Sequence, residues 1–106
     1  MKTLNDLRAE KMPDDEKALR IIKSEYVCLF NNERYKISII LENKFRYRLV
    51  LTNLTTGLVE KISDSRRFKS RKLTFFDYID SLLYWWAYEN GFNPDKAIKE
   101  FEIISK

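Results

Sequence analysis

The sequence predicts an α+β fold, an antiparallel β-meander of three to four strands with N-terminal and C-terminal helices packed on one face. Three observations carry that prediction. Arg34 to Leu41 and Phe45 to Thr52 both alternate apolar and polar residues with the period of a half-buried strand. Leu73 to Asn90 has the 3.6-residue period of a helix and contains both tryptophans, Trp85 and Trp86. Between these segments lie short turn clusters, with no apolar run long enough to span a membrane.

The elements follow in order. Thr3 to Met12 predicts a short helix with Leu4 and Leu7 on its apolar side, broken by Pro13. Asp14-Asp15-Glu16 suits the start of a second helix, since carboxylates oppose the positive end of the dipole, and Ala18, Leu19 and Ile22 form its inward stripe. Tyr26 to Phe30 reads as a strand closed by an Asn31-Asn32 turn. A three-residue connection, Glu42 to Lys44, would set Leu41 opposite Phe45, Ile39 opposite Tyr47 and Ile37 opposite Leu49. All the large apolar residues, Phe45 included, then share one face, and Arg34, Lys36, Arg46 and Arg48 gather on the other. Asn53 to Gly57 reads as a turn and Leu58 to Ile62 as a further strand.

Residues 66–72 place five basic side chains in seven positions, Arg66, Arg67, Lys69, Arg71 and Lys72, with Phe68 among them. Such mutual repulsion predicts a surface loop or arm over 63–72. In the tryptophan helix, Thr74 and Asp77 form a capping pair and Asn90-Gly91 the stop. Phe75, Ile79, Leu82, Leu83 and Trp86 share its inner face, and Asp77, Asp80, Ser81, Tyr84 and Tyr88 its polar stripe. Asn93-Pro94-Asp95 starts a last helix, with Ala97, Ile98, Phe101 and Ile104 inward. The 106 residues thus form one domain: helical over 1–23, a meander over 24–62, a basic arm over 63–72 and two helices over 73–106.

A hydrophobic fraction of 44% with 14% aromatics supplies enough apolar surface for a folded core. The net charge of +4 is unevenly spread. Residues 34–72 hold 11 basic and 3 acidic side chains, net +8, while 1–33 carry −1 and 73–106 carry −3. Charge segregated in this way bears on partners rather than on fold.

Chemistry-bearing residues are few. With no histidine, the commonest general base and metal ligand is missing. Cys28, the single cysteine, sits in an apolar run, excludes an internal disulfide and, without a signal-peptide pattern, predicts a reducing, cytoplasmic setting. Gly57 and Gly91 are the only glycines, so no phosphate-cradling loop exists. No catalytic residue, metal ligand or cofactor is assigned. A histidine-free ribonuclease using Arg46, Tyr47, Arg48 and the 66–72 arm is the one enzymatic alternative.

Two binding expectations remain. In the first, Arg34, Lys36, Arg46, Arg48, Arg66, Arg67, Lys69, Arg71 and Lys72 contact a phosphate backbone, and Phe68 stacks on or inserts between bases. A solvated basic face is the plainer explanation of the same residues. In the second, Tyr84, Trp85 and Tyr88 stay exposed, together with Phe76, and anchor a protein partner. The abundance of Lys, Asn, Ile, Phe and Tyr resembles in character the accessory proteins of phages and mobile elements in low-GC bacteria. That resemblance implies an inhibitor docking on a host target such as a defence nuclease, in the manner of an anti-CRISPR. The partners expected are nucleic acid or a nucleoprotein, then a protein target or a second copy of the chain, and no membrane.

Overall fold

The alternation along residues 33–53 builds the hairpin at the centre of the sheet. The computed structural model describes residues 2–3, 27–68, 73 and 75–105, with side chains over 27–68, 73 and 75–101. Its strands are β1 (Lys2–Thr3), β2 (Val27–Phe30), β3 (Glu33–Leu41), β4 (Arg46–Asn53), β5 (Leu58–Ile62), β6 (Arg66–Arg67) and β7 (Glu102–Ser105). Its helices are α1 (Phe75–Glu89) and α2 (Pro94–Glu100). Thr3, expected to open the first helix, lies in β1 paired with Glu102, and the rest of the expected helices up to 23 and the Thr74 cap lie outside the described residues.

The sheet order is β1-β7-β2-β3-β4-β5, with β6 also paired to β4. Every pairing is antiparallel. The meander β2 to β5 is therefore as expected, and Val27–Phe30 is a strand. Asn31 and Asn32 have φ of 50° and 63°, the left-handed pair that lets a two-residue loop follow the twist of its strands.

Three further expectations are corrected. The hairpin register lies two residues away from the expected one: Leu41 faces Tyr47, Ile39 faces Leu49 and Ile37 faces Leu51. The cause is a four-residue connection, Glu42 to Phe45, in which the Asn43 side-chain oxygen accepts from the N–H groups of Phe45 (2.8 Å) and Arg46 (3.0 Å). An even slip keeps each side chain on its face but changes its neighbours. Second, the helix at 94 stops at Glu100, because Phe101 turns to an extended ψ of 109°. Residues 102–105 return as β7 between β1 and β2, so Ile104 belongs to a strand. Third, Arg66 and Arg67 pair with Tyr47 and Arg46, so the expected basic arm begins as strand β6.

The core lies between one sheet face and α1. Tyr35, Ile37, Tyr47, Leu49 and Leu51 meet Phe75, Phe76, Ile79, Leu82, Leu83 and Trp86, all buried. Trp86 is the centre of this layer. Its ring lies 5.2 Å from Tyr35, 5.5 Å from Phe92, 5.7 Å from Phe30 and 5.9 Å from Phe101. These separations fall in the range where edge-to-face aromatic pairs add to area burial. The indole N–H is buried without a hydrogen-bond partner among the described residues.

Gly91, at φ 78°, ends α1 in a Schellman turn. The Phe92 N–H donates to the Ala87 carbonyl at 2.9 Å and the Gly91 N–H to the Tyr88 carbonyl at 3.4 Å. Phe92 then packs on Trp86. Asn93 caps α2 by accepting from the Asp95 and Lys96 N–H groups.

Replacing Trp86 with Ala is expected to cost ~3–5 kcal/mol, the range for large-to-small changes of a buried indole. Replacing the neighbouring Trp85, 52% exposed, should shift stability by no more than about 0.5 kcal/mol. Denaturant melts of the two variants read the contrast directly, and equal midpoints would exclude Trp86 as the core residue.

Candidate nucleic-acid interface

On β3 and β4 the residues that alternate with the inner row point away from α1, and all four basic side chains of these two strands, Arg34, Lys36, Arg46 and Arg48, lie on this outer face. Arg46 lies directly opposite Arg67, and Arg48 follows two positions along β4. Like charges opposite one another repel, yet the pair is accommodated by anchoring one member. The Arg46 Nε–H donates to Ser65 Oγ at 2.8 Å and its Nη2 to the Ser65 carbonyl at 3.3 Å. Alternation sends the next residue, Arg66, to the opposite side, where its guanidinium stands 5.0 Å over the Tyr78 ring. The density expected to disorder the segment is thus divided between two faces of a strand.

Arg48 is also held. It forms an ion pair with Glu42, and its Nη1 donates to the Ser63 carbonyl at 3.2 Å. Ser65 Oγ donates to the other Glu42 oxygen at 2.6 Å, so Arg46, Ser65, Glu42 and Arg48 form one hydrogen-bonded chain. Those bonds, the one from Ser65 first, hold the Glu42 carboxyl below its usual range. The pairing accordingly persists from neutral pH down through the ordinary carboxylate pKa and is lost only as pH falls through the lowered value. Each guanidinium has five N–H donors, and two bonds apiece leave donors for an incoming anion.

The register separates the remaining expected residues from this group. Lys36 lies opposite Thr52, farther along the hairpin. Arg34 sits at the opposite end of β3 from Arg46, about 27 Å away at roughly 3.4 Å per residue. The expected sharing of one face by these four residues holds, and on it Arg46 and Arg48 are neighbours, with Arg67 beside them. Lys69, Arg71 and Lys72 lie outside the described residues.

The two aromatics of this region are exposed and packed the other way round from expectation. Phe68, expected to stack on bases, is half-buried, with its ring 4.5 Å from that of Tyr47. Phe45, expected inward, is 69% exposed at the hairpin tip, with Leu41 at 67% and Ile40 at 51% close by. The helix layer covers the sheet only as far as Ile39 and Tyr47, and the tip extends past it. Lys44 is exposed in the same connection. The four-residue loop set by Asn43 is the signal that could have located Phe45 and Lys44 from the sequence.

On the opposite side of the molecule, Tyr84, Trp85 and Tyr88 stand out from α1 as expected, with Trp85 ring centroids 5.3 Å from Tyr84 and 5.9 Å from Tyr88. Phe76 is buried and leaves that group. A cleft of about 280 Å³ separates Trp85 and Ser81 from Lys61, Asp64 and Arg66. Lys61 is ion-paired with Glu89, so the cleft carries mixed charge.

The ribonuclease alternative loses one of its named groups. Tyr47 is buried and stacked on Phe75, 5.5 Å away, out of reach of a substrate phosphate. Burial pushes the Cys28 thiol up from 9.0 to about 12. Among the described residues no group of three or more acidic or cysteine side chains could hold a metal ion, and no helix is long and apolar enough to cross a membrane. Comparison with protein-family models, curated proteins and solved structures gives no match.

Cys28 should resist an aromatic disulfide reagent at pH 8 in the native protein and react fully in denaturant. Because its folded pKa is raised, its contribution to stability is complete below pH 9 and is lost as pH rises from 9 towards 12. Fast labelling of the native thiol would show Cys28 to be accessible.

Proposed function

We propose that this is a non-enzymatic, cytoplasmic binding protein whose basic sheet face contacts nucleic acid or a nucleoprotein complex. The observation that carries the reading is the row formed by Arg46, Arg48 and Arg67, adjacent on one face and with Glu42 as the carboxylate bonded into it. A face built only for solubility has no need of hydrogen bonds that fix its guanidiniums, whereas a phosphate-binding face gains from planar forks already held in place. Each phosphate neutralised releases counterions, so the affinity should fall steeply with salt. A polarisation titration with labelled single-stranded and duplex oligonucleotides between 50 and 200 mM salt tests this. Arg67→Gln should lower the log–log salt slope by roughly one contact, and salt-independent or absent binding to every oligonucleotide would end the reading.

A second reading is favoured by a separate observation. Tyr84, Trp85 and Tyr88, at 38%, 52% and 65% exposure, form an aromatic ridge beside a cleft of mixed charge, and such groups anchor protein interfaces. Here the protein is an inhibitor of phage or mobile-element type that docks directly on a host protein such as a defence nuclease. Pull-down from a low-GC bacterial lysate separates the readings. Retention of a partner after nuclease treatment, with loss in a Trp85→Ala/Tyr88→Ala variant of unchanged melting temperature, supports docking; a partner released by nuclease supports the nucleic-acid reading.

A further inference from the structure

The cleft between the edge of the sheet and α1 holds two charges that the protein leaves unmatched. Ser81, Leu82 and Trp85 form its helix wall, and Lys61, Asp64 and Arg66 line the side across from them. Ser81 and Trp85 are four residues apart, so they are neighbours on one face of α1. Lys61 is ion-paired with Glu89. Asp64 and Arg66 form no ion pair among the described residues, either with each other or with another group. The Arg66 guanidinium stands 5.0 Å over the Tyr78 ring, and its Nε–H is buried without a hydrogen-bond partner among the described residues. A cation partly withdrawn from water without a carboxylate carries a desolvation cost, which an incoming carboxylate offsets.

We propose that this cleft binds a free α-amino acid with an apolar or aromatic side chain, its carboxylate on Arg66 and its ammonium on Asp64. The inference goes beyond both readings above. Arg46, Arg48 and Arg67 lie on the other face of the sheet, and a protein docking on the aromatic ridge needs no ligand in the cleft. Charge selects the class of ligand. With Lys61 and Glu89 cancelling, the guanidinium and carboxylate that remain sum to zero. An anion is attracted by Arg66 and repelled by Asp64, and a cation the reverse, whereas a ligand with both charges gains from each. Spacing selects the α-position. Asp64 and Arg66 are two residues apart, so their Cα atoms are separated by at most roughly 7 Å. That span suits an amine and a carboxylate carried on one carbon. The volume of about 280 Å³ stands at the lower edge of small-molecule sites and suits a ligand of this size. For the ligand side chain, Leu82 supplies apolar surface and Trp85, 52% exposed, an aromatic ring.

The test titrates the full, isotopically labelled chain with L-phenylalanine, L-leucine, N-acetyl-L-phenylalanine and phenethylamine, followed by amide NMR. Both amino acids should shift the amides of residues 61–66 and 81–85. N-acetyl-L-phenylalanine, without the ammonium, and phenethylamine, without the carboxylate, should each bind roughly 10- to 150-fold more weakly than L-phenylalanine, the range for a hydrogen bond to a charged group. Asp64→Asn should weaken L-phenylalanine by a similar factor and abolish its advantage over the acetylated form. Arg66→Gln should do the same against phenethylamine. Trp85→Ala should weaken L-phenylalanine roughly 2- to 10-fold, the range for one aromatic pair. Asp64 is exposed, so Asp64→Asn should melt with the parent, and it decides the outcome even where Arg66→Gln, deprived of its contact with Tyr78, melts lower. Equal affinity for L-phenylalanine and its acetylated form, or for L-phenylalanine and phenethylamine, would overturn the proposal. So would unchanged affinity in Asp64→Asn, shifts confined to residues outside the cleft, or no shift with either amino acid. Oligonucleotide binding is read by its own titration, so these results leave the nucleic-acid reading where it stands.

Discussion

The packing of Trp86 is the interaction on which the rest of the structure depends. Its ring touches Phe30 on β2, Tyr35 on β3, Phe92 in the turn after α1, and Phe101 at the end of α2. Elements separated by up to 71 positions in the chain thus meet at one side chain. Phe30 also stacks on Phe101 at 5.1 Å, so the sheet and the second helix stay in contact around it. Because Phe101 is drawn into this cluster, the chain must leave the helix there. The following residues then complete the sheet beside β2, burying Cys28.

Filling one face of the sheet with aromatic rings determines what the other can do. Period-two alternation leaves the outer face to Lys36, Arg46, Arg48 and Arg67, and hydrogen bonds through Ser65 and Glu42 order two of them. Ser63 performs the matching task along β4. Its N–H donates to the Leu49 carbonyl and its hydroxyl accepts from the Leu49 N–H, both at 2.8 Å, so the ladder continues where β5 ends and before β6 begins. The arginine row is therefore a consequence of how the edge of the sheet is closed. Its rigidity comes from the same serines.

The helix side and the outer side present different chemistry. The first has an aromatic ridge and a cleft where Lys61 is matched by Glu89; the second has cations in excess. One chain of this size can hold two such surfaces because, among the described residues, α1 packs on one face of the sheet. Edge strand β5 is guarded by two devices that limit unwanted pairing: a register shift between Leu51 and Thr52, and the inward charge of Lys61.

The sequence by itself determined the α+β class, the strands at 34–41, 45–52 (Arg46–Asn53 in the structure) and 58–62, the turn at Asn31-Asn32, and the tryptophan helix with its Gly91 stop. Each follows from a local rule, since period, turn chemistry and capping act over a few residues. It also determined which face of the hairpin is basic, because a slip of two residues preserves every side. Tertiary structure decided what depends on distant partners. Ala97, Ile98, Phe101 and Ile104 have helical spacing, yet the open edge of β2 and the aromatic cluster at Trp86 draw residues 102–105 into the sheet. The adjacent Arg66 and Arg67 could be sorted to opposite faces only once β6 had paired with β4. Phe45 and Phe68 are alike in composition and setting, and only the reach of the helix layer decided that one is packed and the other faces solvent.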